Sequence, residues 1–365
     1  MEKAKKIAVI CVFALLIFGL AIAHIFVPDK AFSDTERGAL QQMPELSADK
    51  LEGGKFQKDF ETYLQDQFPL RDTFRGFKTV MNLHLWQMKD TNGYYYADGH
   101  LMEVSKDTDI KQIQHAVDLF NKIIKDHPEI AKAFYAVIPD KNFFLAEENG
   151  YPALDYQTLY TMMESLNAQK IDLTGLLTID DYYKTDSHWI QDRIFPVIKA
   201  LCDAMGVKYD PQSSYIAETV HGYQGVYGDH MAYPFLKDDL VYLENDSTVN
   251  AVVHKLNDRL EWEEIPMCNP SEFGNADPYD LFLSGPESLI TIENPNAKSD
   301  RHLILFRDSF SSSMAPLLTG SYGKITLVDL RYISSAYLDK FVDFENADVL
   351  FLYSTTLLNG AAILK

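Results

Sequence analysis

The chain reads as an α/β protein with a parallel sheet flanked by helices, and three observations predict that class. Ile110, Ile113, Val117, Phe120 and Ile124 recur at helical spacing and are followed by a short apolar run, 133–138, that stops at Pro139. Three more such runs, 302–306, 324–328 and 349–353, come near the C-terminus, each separated by helical or loop-like segments. Runs this short, apolar on both faces and alternating with helix, are the pattern of strands buried in a parallel sheet. A composition of 47% hydrophobic and 13% aromatic residues supplies a large core, and no internal repeat divides it.

The N-terminus sets the compartment. Lys3, Lys5 and Lys6 precede an uncharged stretch, 7–27, long enough to cross a hydrocarbon layer of roughly 30 Å at about 1.5 Å per residue. Basic residues ahead of the run keep the N-terminus in the cytoplasm and send the chain beyond Pro28 outside, so residues 1–28 read as a signal anchor and the chain as a single-pass protein of the cell membrane. Ala21-Ile22-Ala23 offers a signal-peptidase site as the rival, but the run exceeds an ordinary signal-peptide core, which favours retention.

Residues 29–92 form a stalk and helical lead-in. Pro44, Gly53 and Gly54 mark turns, and Phe60, Leu64 and Phe68, then Phe74, Phe77 and Met81, predict two short amphipathic helices on either side of Pro69. Residues 93–365 form the main domain. It opens on an Asp98-Gly99 turn between apolar flanks at 94–102, a hairpin signal. From 190 to 205 the run is helix-like. From about 207 to 298 the chain is rich in Tyr, Pro, Gly and Asn with weak periodicity, and reads as an irregular insertion carrying binding loops.

Against 33 Lys and Arg stand 53 Asp and Glu, a formal charge of −20 that repels phosphate backbones, so nucleic acid is excluded as a partner. Cys11 lies in the apolar run, leaving Cys202 and Cys268; a bridge between them and two free thiols are both open. No cofactor motif is present.

Chemistry concentrates at two places. Ser309 directly follows the 302–306 run, and at the carboxyl end of a parallel strand a side chain meets whatever binds in the crevice there. A helix after it would aim its first amides at a developing oxyanion. The bland reading of Ser309 is a helix N-cap. The second place is Lys184-Thr185-Asp186-Ser187-His188-Trp189. In an extended or looped segment an aspartate and a histidine two apart can meet, the carboxylate fixing the imidazole tautomer, with Trp189 walling the site. A capping Asp186 beside a surface His188 is the bland alternative. His221, Asp229 and His230 suggest a metal less well than Tyr223 and Tyr227, among glycines, suggest aromatic faces for sugar rings. Arg331 and Asn359 are further candidates near the strand ends, against their plainer readings as an ion-pairing arginine and a turn.

Asp186-x-His188-Trp189 followed by strand-end Asp308-Ser309 resembles the SGNH hydrolase-like proteins of the DHHW and alginate O-acetyltransferase group. Further matches are Phe32-Ser33-Asp34-Thr35-Glu36, Gly54-Lys55-Phe56, Tyr63-Leu64-Gln65-Asp66-Gln67-Phe68-Pro69-Leu70-Arg71-Asp72 and Asp329-Leu330-Arg331-Tyr332, so the likeness covers most of the chain beyond the anchor. Arg307 stands where many members have Gly, and Ser187 where the motif has His. The resemblance implies an SGNH-like fold, a nucleophilic Ser309, a general base His188 and an orienting Asp186. It implies an O-acetyltransferase acting on a surface or secreted polysaccharide, beside a membrane-bound protein that supplies the acyl group. An acetylesterase would share every residue, and a non-catalytic polysaccharide-binding or assembly protein would keep the fold.

Overall fold

The computed structural model describes residues 2–33, 35–275 and 277–365, so Asp34 of the lead-in motif lies outside the described residues. The chain divides into two compact units, residues 1–91 with 229–234, and residues 92–228 with 235–365.

In the first unit the N-terminal apolar run forms α1 (Glu2–Phe26), long and apolar enough to cross a membrane. Ile10, Phe13, Leu15 and Phe18 on it are exposed. The two predicted lead-in helices are α2 (Lys55–Asp66) and α3 (Arg71–Val80). Between them Leu70 takes a positive φ of 60°. Residues 229–234 pack on α3: Thr79 donates to the Met231 carbonyl at 2.6 Å and Arg75 to that of His230 at 2.9 Å. Gly76 is required there, because a Cβ would lie 2.7 Å from the Ala232 oxygen.

The second unit opens on the predicted hairpin, β1 (Tyr94–Ala97) and β2 (His100–Glu103). Asp98 and Gly99 both have positive φ, 46° and 85°, as a tight hairpin turn demands. Helix α4 (Ile110–Asp126), capped by the Asp109 carboxylate, leads into β3 (Lys132–Ile138). After the short β4 (Gln169–Lys170) comes α5 (Phe195–Met205). It starts later than the apolar run beginning at 190, because Pro196 suits a first helical turn and 191–193 form a 3₁₀ turn instead.

Residues 207–298 are more regular than their weak periodicity suggests. They form a hairpin, β5 (Ile216–Tyr223) with β6 (Asp238–Glu244), and three strands, β7 (Val252–Leu256), β8 (Trp262–Ile265) and β9 (Leu289–Glu293), that extend the main sheet. Strands β7 and β8 are short, and β8, at the edge, carries Glu263 and Glu264 to solvent, so no clean apolar alternation advertises them. Then come β10 (His302–Arg307), α6 (Phe310–Met314), β11 (Lys324–Val328), β12 (Asp348–Ser354) and α7 (Thr355–Asn359).

The sheet runs β8-β7-β9-β11-β10-β12-β3-β4, parallel from β11 to β4 and antiparallel on the β9 side. Side chains alternate across it. Leu303, Leu305, Leu350 and Leu352 face the core that α5 closes, while Ile304, Phe306, Val349 and Phe351 face the one that α4 closes. The architecture is the predicted α/β sheet flanked by helices, mostly parallel, and β10, β12 and β3 end side by side at the carboxyl edge.

Candidate active site

Ser309 stands at that edge. After Arg307, paired with Leu352 of β12, the chain turns through Asp308 into the single turn of α6. The buried Asp308 carboxylate accepts from the Phe310 amide at 3.1 Å and from the Ser354 amide at 2.8 Å, which pins the turn to the end of β12. Ser309 is partly exposed between two buried neighbours. Arg307 is fully buried, and its guanidinium donates to Ser312 Oγ at 2.7 Å and to the Glu287 carbonyl at 3.4 Å. Burial lowers its pKa.

The Asp-x-His segment is a loop without helix or strand, closed by the Tyr183 amide donating to the His188 carbonyl at 3.0 Å. His188 Nδ1 lies 2.6 Å from Asp186 Oδ1, which also accepts the His188 amide at 2.9 Å, while Oδ2 accepts the Val226 amide at 2.8 Å. Burial of Asp186 opposes its charge, but His188 and these amides outweigh burial and hold the carboxyl well below the usual carboxylate range. With the Nδ1–H donating to this carboxylate, Nε2 is left to accept from the Ser309 hydroxyl, 2.7 Å away. Tyr279 stacks on the imidazole at 3.9 Å and 7°, and its hydroxyl donates to Ser313 Oγ at 2.8 Å. Gly225 is needed beside the carboxylate, since a Cβ there would collide with the side chain of Asp186.

Several of these supports have no sequence signal. Tyr279 comes from the weakly periodic insertion. Asp238 takes the amides of Lys184 and Thr185 at 2.9 and 2.7 Å and the Thr185 hydroxyl at 2.6 Å, and Thr185 Oγ1 in turn accepts the Gly225 amide at 2.9 Å. Lys141 had one available clue, its place just past the end of a parallel strand. It is 2% exposed, and its ammonium donates to the carbonyls of Leu101, Tyr183, Lys184 and Asp186 at 2.7, 2.8, 3.2 and 3.0 Å.

The other candidates scatter. Trp189 does not wall an open site: it is fully buried, its indole N–H donating to the Phe310 carbonyl and Ser313 Oγ, each at 3.1 Å, so it braces the Asp-x-His loop on α6. Tyr223 is also fully buried, edge-on to Tyr183 at 5.1 Å, and leaves no face for a sugar. Arg331 is taken up by a forked pair with the buried Asp329, at 2.9 and 2.6 Å. Asn359 accepts the Asp109 amide at 2.7 Å and donates to the Asp107 carbonyl at 3.0 Å. The side chain of Tyr227, half-buried, tilts on Tyr94 at 5.7 Å.

Tyr227 and Asn359 share a cavity of about 140 Å³ with Glu103, Asp140, Asn142 and Thr356. Its walls adjoin the supports of the site: Tyr227 follows Val226, Asp140 precedes Lys141, and Thr356 lies two residues past Ser354. Cys202 and Cys268 are both free thiols. His221 lies 3.0 Å from Asp239, and among the described residues no three His, Cys, Asp or Glu side chains gather as a metal site.

No protein-family model matches the chain, and no curated protein matches it significantly. Solved structures do. A DHHW family protein from Eubacterium siraeum superposes with a TM-score of 0.63 at 21% identity, over 75% of this chain and 94% of that one. Bacillus cereus PatB1 superposes at 0.57 and 20%, over 73% and 96%, and the structure of PatB1 with a sulfonyl adduct at 0.58 and 19%, over 73% and 95%. The O-acetyltransferase domain of Pseudomonas putida AlgJ gives 0.41 at 12%, over 68% and 84%. The likeness is one of fold: the chain has the SGNH hydrolase-like α/β fold, and a DHHW family protein is among its structural neighbours.

Proposed function

We propose that the protein is an O-acetyltransferase that works outside the cytoplasm, held by α1, on a cell-surface or secreted polysaccharide. The observation that carries this reading is the unbroken chain Ser309 Oγ, His188 Nε2, His188 Nδ1, Asp186 Oδ1, with links of 2.7 and 2.6 Å. A hydroxyl in that relay loses its proton to the imidazole as it attacks an acyl carbonyl, and the carboxylate stabilises the imidazolium that forms. His188 then returns the proton to the departing alcohol or thiol, leaving an acetyl ester on Ser309. A sugar hydroxyl repeats the sequence in reverse: its proton goes to His188, its oxygen takes the acetyl group, and Ser309 recovers its hydroxyl. The Ser309 amide is a candidate oxyanion donor.

Residues 93–365 would be the catalytic domain, 29–92 the lead-in, and a membrane-bound acyl-donor protein the partner. Incubating the purified protein with an acetyl ester tests the reading by mass spectrometry. The expected outcome is an acetyl adduct on Ser309 that an added oligosaccharide discharges to its own hydroxyls. Discharge only to water would make the protein an esterase. No adduct and no sulfonyl-fluoride labelling of Ser309 would leave the fold to a non-catalytic binder.

A further inference from the structure

Lys141 is a buried cation with no carboxylate in hydrogen-bond contact among the described residues. Its four acceptors are backbone carbonyls, and three of them, those of Tyr183, Lys184 and Asp186, belong to the loop that carries the base. The fourth, from Leu101, ties that loop to the β1–β2 hairpin. A loop lacking any ladder thus has three of its carbonyls gathered on one ammonium, one of them the carbonyl of Asp186, whose carboxylate orients His188. We propose, on the acyl-transfer reading above, that Lys141 is a positioning residue: its ammonium form holds Asp186 and His188 in line with Ser309, and loss of its proton slackens that alignment.

The chemistry of the amine gives the proposal its sign. An ammonium has three N–H groups for the four carbonyls, all acceptors. The neutral amine has two and turns a lone pair on the rest, so the cage repels it. Around the cage stand Asp186 and Asp238, which favour the charge, His100 of β2, Asp140 next in the chain, and the Tyr227 ring 5.5 Å from Nζ. Burial nonetheless pushes the Lys141 pKa down to about 7. Turnover should therefore fall as pH rises through that value. Stability should not: above the folded pKa and below the unfolded value of about 10.4, the unfolded chain binds the extra proton, so this group's contribution to stability rises with pH.

The test compares the wild type with Lys141→Met and Lys141→Arg in turnover of a small acetyl ester across pH, thermal stability, and the low-field proton resonance of His188 Nδ1. The expected results are an alkaline fall in wild-type turnover while the melting temperature holds, a loss of about 10- to 100-fold in Lys141→Met with that alkaline limb gone, and partial rescue in Lys141→Arg with the limb moved upward. A folded Lys141→Met that keeps wild-type turnover or the same alkaline limb overturns the proposal. Should neither variant fold, the amine's own titration decides, read in the wild type by lysine Cε resonances: agreement with the alkaline midpoint of turnover supports the proposal, and a mismatch of more than about one pH unit overturns it. The Nδ1 resonance needs no substrate. Its loss in folded Lys141→Met with retention in Ser309→Ala supports the clamp even if the protein turns over no ester, and its persistence in Lys141→Met overturns it.

Discussion

The two turns that meet at the 2.7 Å contact between Ser309 and His188 are held by different means. The serine turn leaves a central strand, hydrogen-bonded on both sides, and one buried carboxylate pins it to the next strand end. The base loop has no ladder, and Lys141, Asp238 and the Gly225-Val226 backbone hold it from outside, the last two partly through the loop's own Thr185. A ladder spreads its hold over many backbone groups, whereas a side-chain cage concentrates it in a few. Geometry at the base loop is therefore open to single substitutions that the serine turn would absorb.

The largest expected effect ignores that difference, because on the proposed acyl-transfer reading Ser309 and His188 act as one unit. Ser309→Ala and His188→Ala should each lower acetyl-ester turnover by about 10⁴- to 10⁶-fold, and the double variant should be no worse than either single one. Steady-state rates with intact-mass detection of the acyl-enzyme check this. Losses that multiplied would mean the two turns work separately, against the relay.

The next effect separates the turns. A Cβ at Gly225 collides with Asp186, so Gly225→Ala should displace the carboxylate from His188 and lower turnover by about 100-fold while leaving the KM for a small ester within about threefold. An unchanged rate in a folded variant would show that the base loop tolerates displacement as well as the serine turn does.

The legibility of the molecule in its sequence divides along the same line. Where a strand and its turn fix the geometry, sequence suffices: 302–306 is apolar, Asp308-Ser309 follows it, and Ser309 lands at the sheet edge. Asp186 and His188 lie two apart, and their contact is local. What holds them is not local. Asp238 is 53 residues from Thr185, and Lys141 is 45 from Asp186. No periodicity links such pairs, since a side chain reaching a loop carbonyl leaves no pattern in hydrophobicity. Tyr223 and Tyr227 show the same limit. Their spacing and glycine neighbours are alike, yet β5 buries one in an aromatic cluster and leaves the other lining a cavity. Strands β7 and β8 were hidden for a related reason, being short, partly solvated and charged at the edge.

A smaller effect sharpens the comparison. Asp238→Ala removes the acceptor for two amides and a hydroxyl of the base loop, and Asp308→Ala the acceptor for two amides at the serine turn. Each should cost about 1–3 kcal/mol of stability, measured by thermal or denaturant unfolding. In turnover they should part. Asp238→Ala should lose about tenfold because its loop has no ladder to fall back on, and Asp308→Ala less than that. The reverse order would mean the ladder does not protect Ser309.

Trp189→Phe should be the mildest, because the indole joins the two turns without holding either alone. Its N–H serves the Phe310 carbonyl and Ser313 Oγ, and both acceptors keep another donor when it goes: Tyr279 OH reaches Ser313 Oγ at 2.8 Å, and Ser313 Oγ reaches the Phe310 carbonyl at 3.4 Å. No buried oxygen is stranded, so the cost reduces to one hydrogen bond and the void left by a smaller ring, about 1–2 kcal/mol. In a fully buried position that should lower the melting temperature by a few degrees. Turnover should stay within about threefold, since Lys141 and Asp238 still hold the loop and Asp308 the serine. A drop in turnover as large as that of Gly225→Ala, without a matching loss of stability, would make the indole brace itself the element that sets the distance between the two turns.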